Sequence, residues 1–333
     1  MRIMTLLAKC NTASTSELGL STPMNRLENG AAGFTHLSEA GPDTGVFALS
    51  EVRENRGQAD RGGSRIIALP QQHYEKPPQI AKGLKAFDLS HEARDCDGKR
   101  AIDIELCLIT HPKNTSTMRP MIQARNSSSN TQLIHDAEMT WMEVKQRASD
   151  CMVFTTTWNL EDGERKKEVK FPRPQKGNVE VVCWIKDFRF RTWDAGPYSC
   201  DVWASNVTSD GFTANVSGGK NAERVTTTCI VYYKGKPKVA SGTFSTEDLE
   251  ARQEESFSNS GRIDFPKDTF TKTPTVLVAL NQFDLAGGRD MSLGAYVSNV
   301  DQQGFDWQLN TRGDGPNDAL RSAEASYVAL GFV

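Results

Sequence analysis

The sequence predicts an all-β fold built from tandem antiparallel β-sandwiches. Short strand-like runs bounded by turn residues recur along the chain. No window shows the sustained apolar period of a long, capped amphipathic helix. The runs also repeat with a period of about 90 to 100 residues, and such self-similarity determines the architecture before any single motif does. At 333 residues, the chain is long enough for several hydrophobic cores.

The repeat divides the chain into a leader and three units. Residues 1–44 are rich in Ser, Thr, Gly and Asn without a sustained period, so we expect a flexible leader there. The three ranges that follow are called the first, second and third units: 45–149, 150–238 and 239–333. We expect each unit to have its own small core.

The first half of each unit is predicted from three strands. A short apolar strand comes first, at 45–47, 152–154 and 242–244. A second strand ends in an apolar residue and proline, at 69–70, 171–172 and 265–266. Proline cannot donate to a ladder and therefore ends each of these strands. A long third strand closes on an aromatic residue beside an acidic one, at 87–88, 187–188 and 283–284.

The second half of each unit is predicted from a hairpin and a final strand. In the second and third units, the hairpins 204–212 and 297–305 contain the glycine that a tight turn requires. Each final strand has a central aromatic residue that we expect in the core: Trp141, Tyr232 and Tyr327. Two brief segments, 137–147 and 245–253, have helical character instead.

Taken in order, these elements resemble the H-type lectin domain, most closely in the second and third units and more loosely in the first. The resemblance implies a six-stranded antiparallel β-sandwich that usually assembles as a trimer. It also implies binding of N-acetylgalactosamine or galactose near the protomer boundaries. Three copies in one chain predict an intramolecular pseudo-trimer, with self-association as a further expectation.

The resemblance also identifies candidate carbohydrate-binding residues. Family members hold the sugar with an acidic residue before the Phe-Pro strand, with an arginine eight positions before the valine of Asn-Val-Thr, and with a Trp-His pair after Gly-Phe. Ser199 and Ser292 occupy the arginine position here, and Gly219-Lys220 and Arg312-Gly313 the Trp-His position. If Leu108 replaces the valine in the first unit, Arg100 is the arginine. The candidates are Asp60 with Arg100 in the first unit, and Glu254, Glu255, Arg312 and Asp314 in the third.

Composition and motifs disfavour several other classes. A net charge of -3 and a pI near 6.0 give no electrostatic footprint for nucleic acid, and no apolar run is long enough to span a membrane. The histidines are dispersed, none follows His135, and no catalytic or cofactor fingerprint occurs, so we expect neither an enzyme nor a cofactor. The acidic run 95–99 lacks the other ligands of a calcium loop, so no metal is expected.

Cysteine usage and the start of the chain suggest a compartment. The seven cysteines form no C-x-x-C pair, and Cys183, Cys200 and Cys229 lie in apolar runs where small buried residues are expected. The first ten residues contain too short an apolar stretch for a secretory signal. We therefore expect a cytoplasmic or non-classically secreted protein.

Two functions remain open. The first is a lectin for galactose- or N-acetylgalactosamine-type glycans that acts in recognition or adhesion, with weak sites reinforced by avidity. The second is a structural or protein-interaction scaffold whose sugar sites have decayed. The serines at the arginine position favour the scaffold, whereas the resemblance favours the lectin.

Overall fold

The computed structural model describes most of the chain after the leader. The described residues are 44–52, 62–69, 76–89, 103–112, 117–125, 134–144, 151–175, 177–191, 197–248, 258–287, 290–311 and 320–331. In these ranges the regular structure is β-strand, apart from three 3₁₀ turns of three residues each. The predicted all-β class is confirmed.

Nineteen strands make up the described fold. In the first unit they are β1 (Thr44–Ala48), β2 (Gly62–Ser64), β3 (Ile67–Ala68), β4 (Gln79–Leu89), β5 (Asp103–Pro112), β6 (Thr117–Arg125) and β7 (Ile134–Val144). In the second they are β8 (Cys151–Asn159), β9 (Lys166–Lys170), β10 (Val179–Arg191), β11 (Tyr198–Ser205), β12 (Gly211–Gly218) and β13 (Ala222–Tyr233). In the third they are β14 (Val239–Ser245), β15 (Ser258–Asp264), β16 (Thr275–Leu285), β17 (Met291–Ser298), β18 (Gly304–Asn310) and β19 (Leu320–Leu330).

Strands from different units share each of three antiparallel sheets. The first sheet has the order β1-β7-β4-β17-β18-β15, the second β2-β6-β5-β10-β13-β8 with β3 also paired to β6, and the third β14-β19-β16-β11-β12-β9. The long strands β4, β10 and β16 each pair with a strand of another unit, namely β17, β5 and β11. Every unit thus contributes one half to each of two sheets, and the units close into a ring.

Three phenylalanines at the same position of the long strands pack together where the sheets meet. The ring centroids of Phe87, Phe188 and Phe283 are 5.4, 5.4 and 5.7 Å apart, and each side chain is buried. Two residues before each phenylalanine, the strand register shifts in a bulge, at Lys85, Lys186 and Asn281. Aromatic contacts of this kind stabilise the core beyond their buried area.

A second layer joins the same strands through one large and two small residues. A Cβ atom added to Gly83 would lie 2.6 Å from the Cβ of Ala279 and 2.7 Å from the Cβ of Trp184. The indole of Trp184 is fully buried, and its Nε1 donates to the carbonyl of Ser326 at 3.2 Å. Trp184 therefore fills space that the glycine and alanine leave free.

The predicted core aromatics are confirmed, and the predicted helical segments are wrong. Trp141, Tyr232 and Tyr327 are each buried on the final strand of their unit. The described part of segment 137–147 belongs to β7, because its backbone pairs with β4. In segment 245–253, the described residues form only the turn Thr246–Asp248 after the end of β14. Partners across the sheet overrode local helical preference.

Candidate polar cleft in the second unit

The six carbohydrate-binding residues predicted from the sequence all lie outside the described ranges: Asp60, Arg100, Glu254, Glu255, Arg312 and Asp314. Their roles stay predictions. The strands that would flank them are described, and these show which positions correspond among the units.

Strand register identifies the arginine-equivalent position in the first unit. Ser199 pairs with the residue that follows Phe283, and Ser292 with the residue that follows Phe87. In the second sheet, the residue that follows Phe188 pairs with Glu105. By register, Glu105 therefore corresponds to the two serines. Counting eight positions back from Leu108 gave Arg100 instead.

A polar cleft of about 360 Å³ lies at one end of the second unit. Its walls come from the 3₁₀ turn before β9, the end of β10 and the turn between β12 and β13. The lining residues are Leu160, Glu161, Arg165, Arg191, Gly218, Gly219, Lys220, Ala222 and Glu223. This volume is within the range of small-ligand sites.

Two positions named by the resemblance meet at the edge of this cleft, which Gly219 lines. The backbone N–H of Gly219 donates to the carbonyl oxygen of Ser199 at 3.0 Å. A Cβ atom on Gly219 would lie only 2.7 Å from Oγ of Ser199. The arginine position and the first residue of the Trp-His position are thus adjacent, and both hold small residues that pack closely. Lys220, the second residue of the Trp-His position, lines the cleft.

Arg191 supplies a guanidinium to the cleft from the end of β10. It forms ion pairs with Glu161 of the 3₁₀ turn and with Glu223 of β13. The carboxylate of Glu223 also forms an ion pair with Arg189, whose Nε lies 2.9 Å from its second oxygen. Because two carboxylates hold it, the Arg191 guanidinium is oriented before any ligand arrives. The family motif could not identify Arg191, because the arginine of that motif lies on the next strand, at the position of Ser199 in β11.

The opposite wall of the cleft is held by a second arginine. Arg165 donates from Nη1 to the carbonyl oxygens of Leu160 at 3.0 Å and of Glu164 at 2.8 Å. These bonds fix the turn that carries Glu161. The cleft therefore offers hydrogen-bond donors and acceptors side by side, with a short apolar wall at Leu160 and Ala222. Such a surface is suited to a neutral ligand with many hydroxyl groups.

The described residues form neither a metal site nor a membrane-spanning helix. In those ranges, no group of three or more His, Cys, Asp or Glu side chains is arranged to hold a metal ion. The described ranges likewise contain no helix long and apolar enough to cross a bilayer.

Comparison with known families gives one match. A model of the H-type lectin domain matches residues 260–330, from within β15 to the end of β19. The match indicates carbohydrate binding in general terms, by a family of binding domains rather than enzymes. No curated protein and no solved structure matches the chain. The polar cleft lies outside the matched residues, so its link to the family depends on the correspondence between the second and third units.

Proposed function

We propose that the protein is a lectin and that the cleft around Arg191 is its sugar-binding site. One observation carries the proposal: the turn before β9 and the turn after β12 line a single cleft, and Ser199, at the arginine position, accepts a hydrogen bond from the second of these turns. These are the three places that contact sugar in the resembling family. Arg191 provides the guanidinium that Ser199 lacks.

The chemistry of the cleft suits a sugar ring. Glu161 and Glu223 can accept hydrogen bonds from hydroxyl groups while Arg191 donates to a neighbouring hydroxyl oxygen. Leu160 provides an apolar contact for the ring carbons. By the resemblance, we propose galactose- or N-acetylgalactosamine-type glycans as ligands and recognition or adhesion as the role.

We further propose that the three units are divergent copies of one domain arranged as an intramolecular pseudo-trimer. The shared strand order of the three sheets and the meeting of Phe87, Phe188 and Phe283 support this arrangement. If the other units also bind sugar, weak sites on one chain would gain affinity for clustered glycans through avidity. A cytoplasmic or non-classically secreted location remains part of the proposal.

A glycan array followed by calorimetric titration tests the lectin proposal. The full chain is compared with Arg191→Gln and with a matched control, Arg262→Gln, which removes another exposed arginine paired with carboxylates. We expect selective binding that Arg191→Gln weakens at least about tenfold, as for loss of a charge-assisted hydrogen bond, and that Arg262→Gln leaves unchanged.

Further outcomes separate this site from the alternatives. Binding lost instead in Arg100→Ala would place the site in the first unit and overturn the cleft. A blank array from a chain whose circular dichroism shows intact β-structure would overturn the lectin proposal and favour the scaffold. Melting curves of each variant separate loss of binding from loss of fold.

A further inference from the structure

The outer face of the third sheet presents an exposed aromatic residue beside a carboxylate. The Trp203 side chain, on β11, is 40% exposed, which is unusual for an indole at the middle of a sheet. Asp201 lies two residues earlier and therefore on the same face of the sheet. In register, Asp201 pairs with Gln282 of β16, and Gln282 pairs with Glu324 of β19. The indole and two carboxylates thus share one face.

The first sheet shows the same arrangement with a lysine in it. Lys85 at the bulge of β4 places its Nζ 2.7 Å from a carboxylate oxygen of Glu138. The same ammonium lies 4.9 Å from the ring centroid of Tyr296. A cation held by a carboxylate over an aromatic face is a stable combination when it is partly shielded from water, as Lys85 and Glu138 are.

Register gives the corresponding residues of the third sheet. The carboxylate Glu138 corresponds to Glu324, the aromatic Tyr296 to Trp203, Gly294 to Asp201 and the bulge residue Lys85 to Asn281. The aromatic residue and the carboxylate are both retained, and a second carboxylate is added. The lysine is replaced by a neutral asparagine, which removes the cation from the arrangement.

The two carboxylates of this face both have raised pKa values. Burial, and then repulsion by Glu324, raises the pKa of Asp201 to about 6. Burial also raises the pKa of Glu324, although the amide of Asn281 donates to it. Within the described part of the chain, neither carboxylate forms an ion pair, and the buried Oδ1 of Asn281 accepts no hydrogen bond. The site therefore has surplus acceptors and negative charge.

The second sheet lacks this combination. Its bulge residue, Lys186, lies 2.6 Å from the carboxylate of Asp187. The positions that correspond to Trp203 and Glu324 hold Ile109 and Thr226. At these described positions, the first and third sheets each have an aromatic residue and a carboxylate. The third sheet differs from the first because its bulge residue is not a lysine.

We propose that the face formed by Trp203, Asp201 and Glu324 binds a lysine side chain of a partner polypeptide. The ammonium lies beside the two carboxylates and over the indole, as the ammonium of Lys85 lies beside Glu138 and over the ring of Tyr296 in the first sheet. Lysine suits this site better than arginine, because the internal counterpart is itself a compact ammonium rather than a planar guanidinium. This face is separate from the Arg191 cleft, so the inference does not depend on the proposed lectin activity.

The test uses fluorescence polarisation of a labelled, otherwise neutral peptide with one central lysine, and the same peptide with Nε-acetyl-lysine as probe control. We expect the full chain to bind the lysine peptide and not the acetylated one. Trp203→Ala and Glu324→Gln are each expected to weaken binding about tenfold, the effect of losing a desolvated cation–π contact or a charge-assisted hydrogen bond. Glu168→Gln, which removes an exposed carboxylate elsewhere on this face, should leave binding unchanged.

Asn281→Lys is the decisive variant, because it restores the lysine present at Lys85 and should fill the site from within. We expect it to abolish peptide binding while keeping or raising the melting temperature. Binding that survives in folded Asn281→Lys, or that is equal for the acetylated peptide, overturns the proposal. Binding of glucosamine oligomers but not of the lysine peptide also overturns it, and would assign the site to amino sugars. Arg191→Gln should have no effect.

Discussion

Replacement of Gly83 by alanine tests how closely the three long strands approach. The added Cβ atom would lie 2.6 Å from the Cβ of Ala279 and 2.7 Å from the Cβ of Trp184. Carbon atoms in van der Waals contact are about 3.5 to 4.0 Å apart, so both contacts are about 1 Å too short. Because Cβ atoms are attached to the backbone, no rotamer change relieves them. The strands β4, β10 and β16 must separate instead.

The expected cost is at the upper end of the range for overpacked cores, about 3 kcal/mol. Urea unfolding followed by circular dichroism measures it, and with a denaturant slope of about 3 kcal/mol/M the midpoint falls by about 1 M. Combining Gly83→Ala with Ala279→Gly removes one of the two contacts. We therefore expect the double variant to be more stable than the sum of the single effects by more than about 0.5 kcal/mol. A change in unfolding free energy below about 0.5 kcal/mol for Gly83→Ala, or full additivity in the double variant, would refute this packing.

Three further predictions follow from buried titratable groups. Because the pKa of Asp201 is raised from 3.8 to about 6, the folded chain binds more protons than the unfolded chain between these values, and its ionised carboxylate destabilises the fold above pH 6. Asp201→Asn should therefore raise the free energy of unfolding at pH 8 by about 1 kcal/mol after allowance for solvent screening, measured as a higher urea midpoint. The gain at pH 4 should be smaller, and an equal gain at both pH values would contradict the assignment. Burial lowers the pKa of Lys82 to about 8, so the unfolded chain binds more protons between pH 8 and 10.5, and stability should rise with pH across that window. Lys82→Met should abolish that rise and stabilise the chain at pH 7 by about 2 kcal/mol, and an unchanged pH profile would count against a buried ammonium. Cys183 and Cys229 lie opposite each other with their sulfurs 3.6 Å apart, and both are buried, so both should resist a thiol-specific aromatic disulfide until urea is added. The hydrogen bond with Cys229, and then burial, also raise the pKa of the Cys183 thiol. Labelling of either cysteine in the folded chain, located by mass spectrometry, would argue against this core.

Much of the secondary structure could be predicted because its signals are local. A proline after an apolar residue correctly placed the end of strands such as β9 and β15, and alternation identified β10. Cys183, Cys200 and Cys229 are buried, as their apolar surroundings predicted. The strand at residues 137–144 was harder to predict, because a strand buried along much of its length has no polar alternation to distinguish it from a short helix.

The sharing of sheets and the cleft residues could not be predicted from the same signals. Pairing between β10 and β5 joins residues about 80 positions apart, and neither strand has a pattern that names its partner. The first unit also lacks the Gly-Phe hairpin, so counting along the chain led to Arg100, whereas the register leads to Glu105. Arg191 went unrecognised for a similar reason, because its role depends on carboxylates from two other elements.

A single chain can place different residues at corresponding positions that meet in space. Gly83, Trp184 and Ala279 occupy one such position, where the contacts leave room for one indole only. Three tryptophans would overpack this layer, and three glycines would leave a cavity, so identical subunits would need another solution. The same freedom separates Lys85 from Asn281 at the bulge. Sequence differences between the units therefore fill the core in one layer and, in the next, leave a neutral asparagine at the face that we propose binds lysine.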